Sequence, residues 1–446
     1  MNTTTSTPQL FDIRETGLGP DHSLIIARTF GLSADRVERI TAHIAGLNDA
    51  DVNRILDETH RRFAGRHREV ERLFDERAAL IADRAPQTSS WPDERRRLLG
   101  ACFLMEYSIA SAALFNPSIC PHPDQSGLRS GQRRAVVSLR AVGEGHISSV
   151  LFREATVGNG GEVEIAPAVA PLDTGRIEGD PSDGEYTVHF ADDVPLGARV
   201  LFPVAPDEKV GLEDVRLVEF TDHGGPAGRE RARAVGDSGE RDGAATGVSY
   251  YGTVTGYDGE HVIPKMIETG DFRSFRIFPL SGAGAANKDM GLFPRKIGGR
   301  YVMIGRQDGQ RMSIMYSDSI ERWDAAELLR EPHFDWEIMQ IGGCGSPIET
   351  DEGWLLPMHG VGPFRRYSIG FYLLDRDDPA RVRAVSPRPA IEPADDERDG
   401  YVPNVVYTCG AMLHRTSLIM PYAVNDTAIH LAIGETKRII DSLVEV

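Results

Sequence analysis

The chain is poor in cysteine, in long apolar runs and in positive charge. Its four cysteines lie far apart and form no Cys-x-x-Cys pair, which argues against a zinc site or a disulfide framework. The longest apolar stretch, residues 103–115, contains Glu106 and is too short to span a bilayer. The N-terminal sequence has no basic segment followed by an apolar core, so we expect no signal peptide and a cytoplasmic protein.

Acidic residues outnumber basic ones by 67 to 49, which gives a formal net charge of −18. This balance disfavours nucleic acid or an anionic membrane as a partner, since both reward clustered Lys and Arg. The sequence also lacks a dinucleotide-binding Gly-x-Gly-x-x-Gly, a P-loop, a His-Glu-x-x-His motif and a Gly-x-Ser-x-Gly elbow. We therefore expect no organic cofactor, no metal, and a small molecule as the partner.

Residues 1–112 are predicted to form a helical extension. Ser33 can cap a helix that begins near Ala34, and amphipathic runs follow over about residues 49–83 and 93–113. These runs bring no reactive side chains together, so packing or subunit contact is their simplest role. A homo-oligomer formed through them is one interpretation.

From about residue 113 the pattern changes to short β-rich runs separated by Gly, Asp and Pro turns. Many short strands at such spacing predict an all-β propeller, sandwich or barrel. A strand followed by an Asp turn recurs about every 50 residues, which is typical of propeller blades. Residues 221–246, rich in Gly and charge, are predicted to be a surface loop, and Glu435–Val446 a closing helix.

Two adjacent acids precede an arginine in the segment Gly211-Leu-Glu-Asp-Val-Arg216. In a regular strand Glu213 and Asp214 point to opposite faces, and Asp214 shares a face with Arg216. Asp214 and Arg216 are then either a structural ion pair or an acid held at the wall of a pocket. Spacing alone favours the structural pair.

A second segment, Gly345–His359, carries Glu349 before an apolar run and His359 at its end. Taken alone, Glu349 is an ordinary turn glutamate and His359 a satisfied hydrogen-bonding residue. Aromatic residues nearby, such as Trp354 and Tyr367, could stack on a sugar ring but are as easily core residues.

Taken together, these motifs resemble glycoside hydrolase family 130, the β-mannoside phosphorylases and β-mannosidases. The matching segments occur in order over about residues 110–440: Phe115–Ser118, Ser138–Arg140, Gly211–Arg216, Tyr251–Gly259, Asn287–Lys296, Gly345–His359, Tyr367–Gly370, Glu397–Asn404 and Tyr422–Asp426. The resemblance implies an all-β fold over residues 113–446, a five-bladed β-propeller with the active site in its central cavity.

The resemblance also implies roles for single residues. Asp214 would be the general acid of an inverting reaction, acting through a sugar hydroxyl, and we expect burial and acidic neighbours to raise its pKa. Asn116, Arg140 and Asp426 match positions that hold the non-reducing mannose. The further substrate-binding candidates are Ser118, Glu213, Arg216, Tyr257, Asp258, Lys288, Asp289, Lys296, Arg306, His359 and Tyr367.

Glu349 departs from the family pattern in a way that bears on the reaction. Family phosphorylases carry a Lys there and an Asn at the position of Asp289, and both hold phosphate. Two acids would repel a phosphate dianion, whereas a glutamate could activate water. Glu349, with Glu397 as helper or second choice, is therefore the predicted base of a hydrolase, at ~6.5–9.5 Å from Asp214.

The main prediction is an inverting exo-β-mannosidase that hydrolyses short β-1,2-linked manno-oligosaccharides. One alternative is a β-mannoside phosphorylase that holds phosphate with Lys288, Arg306, His359 and Tyr367 and releases α-mannose 1-phosphate. Another is a non-catalytic sugar-binding propeller, against which the acids Asp214 and Glu349 argue.

Overall fold

A computed structural model describes residues 10–221, 248–395 and 398–446. The predicted surface loop 221–246 lies outside the described residues except for Thr221, and Glu397 lies outside them as well. No helix within the described ranges has both the length and the apolar character needed to cross a bilayer.

The first part of the described chain contains four helices flanked by three strands. The elements are β1 Asp12–Leu18, β2 Asp21–Thr29, α1 Ala34–Ala45, α2 Asp49–Phe63, α3 Val70–Ala82, α4 Asp93–Ala101 and β3 Leu104–Ala110. Helices were predicted here, with two errors of extent. The run over 49–83 is two helices, because the chain breaks after Phe63 and Glu69 adopts a left-handed φ of 46° before α3.

The third predicted helix ends at Ala101 instead of near residue 113. Beyond it β3 pairs antiparallel with β2, with Tyr107 opposite Ile26. Pairing with a distant strand outweighs the local helical pattern there. The four helices pack on a shared core of their own, made by Val37, Ile44, Val52, Ile81, Ala85, Leu98, Leu99 and Phe103.

The rest of the described chain is almost entirely β structure, as the sequence predicted. The elements are β4 Ala113–Pro121, β5 Arg133–Val142, β6 Ser148–Val157, β7 Val163–Ile165, β8 Arg176–Glu178, β9 Tyr186–His189, β10 Val200–Leu201, β11 Gly211–Thr221, β12 Val248–Tyr257, β13 Val262–Thr269, β14 Ser274–Pro279, β15 Gly291–Leu292, β16 Tyr301–Gly305, β17 Met312–Ser317, β18 Glu327–Arg330, β19 Gln340–Gly343, β20 Ile348–Thr350, β21 Gly353–Gly362, β22 Arg366–Leu374, β23 Val382–Val385, β24 Val406–Tyr407, β25 Met412–His414, β26 Ser417–Val424, β27 Ala428–Glu435, α5 Thr436–Asp441 and β28 Val444–Glu445.

These strands pair with their sequence neighbours in successive antiparallel groups. The first group is β4-β5-β6, with β7 and β10 on β6, and the second is β11-β12-β13-β14-β9-β8. The two groups are parts of one 11-stranded sheet, in which they meet where Gly211 lies opposite Ser148 in parallel. The next groups are β15-β16-β17-β18, then β19-β21-β22-β23-β28 with β20 on β21, then β24-β26-β27 with β25 on β26.

The first strand of the described chain completes the last of these groups. β1 pairs antiparallel with β27, from Asp12 opposite Ile433 to Leu18 opposite Ile429. Residues 12–18 were expected to belong to a helical extension, and this expectation was wrong. An amphipathic-helix search cannot find such a strand, because its partner lies more than 400 residues away in the chain.

Two strands, β4 and β11, are buried along their whole length. The hydroxyl of Ser118 in β4 accepts a hydrogen bond from the Leu217 amide in β11 at 3.1 Å and ties the two together. Each strand passes one cavity near its start and a different cavity near its end. The position of a side chain along these strands therefore decides which cavity it faces.

Candidate active site

A polar cavity of about 160 Å³ lies beside the first half of β4 and β11. Its lining residues are Asn116, Arg140, Asp214, Lys288, Asp289, Arg306, His359, Arg365, Tyr367, Val405, Tyr407 and Asp426. All of these except Arg365, Val405 and Tyr407 were candidates from the sequence. Residues 404–407 are predicted to be a strand, and Arg365 lies two residues before the matched segment Tyr367–Gly370. Nothing local in the sequence indicates that the side chains of Tyr407 and Arg365 face the cavity.

Two β-bulges aim the central side chains into this cavity. Between β4 and β5 the pairing is regular at Phe115 and resumes at Ser118, and between β11 and β12 it is interrupted from Glu213 to Arg216. In each bulge one residue adopts a positive φ, 47° at Asn116 and 58° at Asp214. A bulge turns a side chain out of the regular alternation and is often found beside active sites.

The bulge corrects the expected orientation of the two acids. Glu213 and Asp214 do not point to opposite faces. Arg140 donates to both of them, from Nη2 to Glu213 Oε1 at 2.7 Å and from Nη1 to Asp214 Oδ1 at 3.2 Å. Glu213 also pairs with Lys288 Nζ at 2.6 Å and stands immediately behind the cavity wall.

Asp214 is buried and held as a carboxylate. Asn116 Nδ2 donates to its Oδ1 at 2.7 Å. Burial alone would raise the pKa of Asp214, but Arg140, Arg216, Lys288 and the Asn116 hydrogen bond outweigh it and lower the pKa to about 2. The expected raised pKa of Asp214 is therefore wrong. Its acidic neighbours are themselves neutralised by the surrounding cations.

The acid with a raised pKa is Asp426. It lies with Asn425 in the turn between β26 and β27, and both residues have positive φ, 48° and 51°. Burial raises the pKa of Asp426 to about 7, with Arg140 opposing the shift and the charge on Asp214 adding to it. Near neutral pH the cavity can therefore hold a proton on Asp426 while Asp214 is ionised.

Asp289 is neutralised by several donors. Arg216 Nη2 and the Tyr407 hydroxyl donate to its Oδ1 at 2.9 and 3.0 Å, and Arg306 Nε lies 2.8 Å from its Oδ2. Burial would raise the pKa of Asp289, but Arg306, His359 and Arg216 outweigh it and lower the pKa. The expected repulsion between this acid and a phosphate is therefore largely cancelled.

Several buried polar atoms at the cavity wall have no hydrogen-bond partner among the described residues. They include Arg306 Nη1, His359 Nε2 and Asn116 Oδ1, and also Arg306 Nε and Asp289 Oδ2, which lie 2.8 Å apart as an ion pair. Burial lowers the pKa of His359 to about 3, so the imidazole is neutral at ordinary pH. Buried polar groups without partners are rare, and a ligand that supplies oxygens would satisfy the Arg306 guanidinium.

The charges around the cavity favour an anion, although the whole chain is acidic. Five cations line it or stand directly behind it: Arg140, Arg216, Lys288, Arg306 and Arg365. Four acids face them: Glu213, Asp214, Asp289 and Asp426. The local excess is positive, and it grows when Asp426 is protonated.

Glu349 is not part of this cavity, contrary to the prediction. It lies in β20 and lines a separate cavity of about 480 Å³, together with the distal residues of β4 and β11 such as Cys120 and Glu219. Arg295 holds it, with Nη2 at 2.8 Å from Oε1, and Arg376 lies at 3.4 Å. Glu349 therefore lines a different cavity from Asp214, and its two arginine partners argue against the predicted role of Glu349 as base.

Other predicted binding residues also lie away from the cavity wall. Ser118 links two strands, and Arg216 is buried behind the wall, where it donates to the Cys344 carbonyl. Tyr257 donates to the Gly259 carbonyl and Asp258 closes a surface turn, while Lys296 lies over the Tyr301 ring. The matched segments therefore supplied most of the side chains that line the cavity, together with several that do not.

The described residues contain no group of three or more His, Cys, Asp or Glu side chains arranged to hold a metal ion. The chemistry available from this chain is that of carboxylates, guanidinium groups, an ammonium group and hydroxyls. Such a set can bind sugar hydroxyls and an oxyanion, and it can donate a proton. The site is therefore of the kind found in enzymes that cleave glycosidic bonds.

Comparison with known proteins agrees with this class. The family model described as beta-1,4-mannooligosaccharide phosphorylase matches residues 245–445. The chain is 39% identical over 155 residues to a 1,2-beta-oligomannan phosphorylase of Thermoanaerobacter sp. (strain X514), covering 34% of this chain and 52% of the relative. It is 34% identical over 194 residues to a beta-1,2-mannobiose phosphorylase of the same organism, covering 43% and 64%.

A structural comparison finds the same fold. The structure of a beta-1,2-mannobiose phosphorylase from Listeria innocua superposes with a TM-score of 0.50 at 20% identity, covering 76% of this chain and 93% of that chain. The matched residues are similar to glycoside hydrolase family 130, and the fold is similar to that of a solved relative. Its sequence similarity spans between about half and two thirds of the length of the curated relatives.

Proposed function

We propose that the protein is a β-mannoside phosphorylase that uses inorganic phosphate to release the non-reducing mannose of a β-1,2-linked manno-oligosaccharide as α-mannose 1-phosphate. The observation that carries the proposal is the positive charge of the cavity, with Arg306 Nη1 buried and lacking a partner among the described residues. The hydrolase was preferred from sequence because Glu349 would repel phosphate, and Glu349 lines another cavity.

The reaction would be a single displacement. A phosphate oxygen held by Arg306 and Lys288 attacks the anomeric carbon from the face opposite the leaving group. The bond from that carbon to the glycosidic oxygen breaks, and the leaving oxygen takes up one proton. Asp214 directs this proton through a sugar hydroxyl, as the family resemblance implies. Inversion of a β-mannoside then gives the α-phosphate.

Asp426 is our proposed store for the proton. It lines the same cavity as Asp214, and the pKa of Asp426 is raised to about 7, mainly by burial. Asp214 itself is ionised near neutral pH, because its pKa is about 2, and it has no proton to donate. The two acids together hold one proton near neutral pH, which is what the leaving oxygen requires.

The β-1,2 linkage rests on the relatives. The two Thermoanaerobacter proteins are named for 1,2-beta-oligomannan and beta-1,2-mannobiose. The cavity volume of about 160 Å³ corresponds to about five water molecules at ~30 Å³ each, the scale of one sugar ring. This size supports removal of a single terminal unit.

Hydrolysis is the second candidate, and Asp289 is the observation that favours it. Its Oδ2 lies in the wall, 3.7 Å from His359 Nε2, and accepts no hydrogen bond from the described residues. A water molecule could donate a proton to it. However, the pKa of Asp289 is lowered by Arg306, His359 and Arg216 against the effect of burial, which makes it a weak base.

The fold proposal is a five-bladed β-propeller over residues 113–446, with the helices of residues 34–101 as an added layer. Five antiparallel groups follow one another along the chain, each built around strands that are neighbours in sequence. β1 adds to the last group from the N-terminal side, a closure between first and last blade that a propeller needs. A homo-oligomer formed through the helices stays a prediction.

The proposed function is tested by incubating purified protein with β-1,2-mannobiose, with and without inorganic phosphate. We expect mannose and α-mannose 1-phosphate in equal amounts, formed only with phosphate, and proton NMR of the fresh product should show the α anomer. Free mannose alone, at a rate independent of phosphate, would establish the hydrolase. No cleavage of β-mannosides of any linkage would favour a binding protein.

A further inference from the structure

The turn that joins β21 to β22 carries an exposed aromatic side chain next to a residue that lines the cavity. Phe364 is 98% exposed, the highest value among the exposed large hydrophobic residues of the described chain. Its neighbour Arg365 lines the cavity. A single exposed apolar side chain is common on protein surfaces, so the significance of Phe364 depends on the backbone of the turn and on its position beside the cavity.

The backbone conformation of this turn is one that Phe and Arg rarely adopt. Gly362 pairs with Arg366, so residues 363–365 form the loop of a hairpin. Phe364 and Arg365 both have positive φ, 60° and 56°. Gly, Asn and Asp are the residues that adopt this conformation readily. The conformation of the turn therefore does not account for the presence of Phe364 and Arg365. Backbone strain of this kind is often found at functional sites, which points to a role for the two side chains.

The turn also stands where a second sugar must lie. The cavity is about the size of one sugar ring, so the leaving unit of a disaccharide lies outside it, at the mouth. The Arg365 guanidinium lies 5.5 Å from the centre of the Tyr367 ring, and its charge acts to lower the pKa of Asp426. Arg365 therefore lies beside the residues that are proposed to bind the non-reducing mannose. An aromatic face suits the apolar face of a sugar ring, and a guanidinium suits its hydroxyls.

We propose that Phe364 is the stacking platform for the leaving sugar unit and so determines affinity for the acceptor in the reverse reaction. The proposal rests on the proposed function in that it takes the substrate to be a manno-oligosaccharide. Phe364 takes no part in the proton transfer or in phosphate binding. Its loss should weaken the acceptor and spare the donor.

The test uses the synthetic direction, with α-mannose 1-phosphate as donor and mannose as acceptor. Phe364→Asn removes the ring and keeps a residue that tolerates positive φ. We expect the KM for acceptor to rise about tenfold, the change given by 1.4 kcal/mol, with the donor KM within about twofold. Phe364→Tyr keeps the ring and should stay close to the wild type. Phe30→Asn removes a half-exposed ring far from the cavity and is the matched control.

A second measurement keeps the inference testable if the protein is a hydrolase. Calorimetric titration of β-1,2-mannobiose into Asp214→Asn, with and without Phe364→Asn, compares affinities without turnover. A loss of about tenfold supports the platform, while equal affinities or no binding to either variant overturns it. An unchanged acceptor KM in Phe364→Asn, with dimers lost in sedimentation, would overturn it in favour of an interface between copies of the chain.

Discussion

The two cavities along β4 and β11 contain similar side chains but use them differently. In the cavity lined by Glu349, the distal cavity, Arg295 and Arg376 both pair with the Glu349 carboxylate. In the cavity lined by Asp214, the proximal cavity, Asp214 and Asp289 are also paired with arginines. However, Arg306 Nη1 has no hydrogen-bond partner there among the described residues. A charged residue is a candidate for function when its neighbours leave part of its bonding capacity unused, and the residue type alone does not decide this.

The largest effect is expected from Asp214→Asn, which should reduce kcat/KM by about 10²–10⁴-fold, the range of general acid catalysis. The asparagine keeps the hydrogen bond with Asn116 within reach, so the fold should persist. Circular dichroism and a melting curve provide the control. If this variant kept wild-type turnover, the proximal cavity would not be the active site.

Arg306→Gln should raise the KM for phosphate by about 10–100-fold, the worth of one or two charge-assisted hydrogen bonds. The mannobiose KM should change much less. Arg295→Gln is the matched control, because it removes the same group from the ion pair with Glu349, which lines the distal cavity. Equal phosphate KM values in both variants would contradict the difference between the two cavities.

Asp426→Asn tests the stored proton. Below a pH of about 7 the pair Asp214 and Asp426 holds one proton, and above it the pair holds none, since the pKa of Asp426 is about 7 and that of Asp214 about 2. We expect kcat/KM of the wild type to fall as pH rises through about 7. The variant cannot carry this proton, so its activity should be roughly tenfold lower and its profile flat there. A variant profile with the same fall near pH 7 would assign the proton to another group.

The smallest effect on catalysis is expected from Glu349→Gln. Phosphate dependence and kcat should stay within about twofold of the wild type, because the side chain is remote from the reacting atoms. Stability should fall by about 1–3 kcal/mol, since the partly buried Arg295 loses its charged partner. Urea unfolding measures this loss. A change of product from mannose 1-phosphate to mannose, or the reverse, would restore Glu349 to the active site.

Local sequence pattern predicted most of the strands and the helices, because both depend on near neighbours in the chain. It missed β1, β2 and β3, which form by pairing with strands distant in sequence. The lining residues Asp214, Lys288 and His359 came from the family resemblance, which locates motifs but not the direction of side chains.

The bulges at Asn116 and Asp214 are the clearest example of what sequence could not supply. Neither bulge contains a glycine that would signal a positive φ. Glu349 shows the opposite error. Its motif resembles an active-site segment, and only the three-dimensional position of Arg295 and Arg376 reveals that its charge is already used.

The most direct test of the account is the rate of mannose release from β-1,2-mannobiose as a function of phosphate concentration, measured in the wild type, Arg306→Gln and Glu349→Gln. The account predicts saturation by phosphate in all three, with the half-saturating concentration raised only in Arg306→Gln. A release rate that is independent of phosphate in the wild type, or a shift in Glu349→Gln instead of Arg306→Gln, would contradict it.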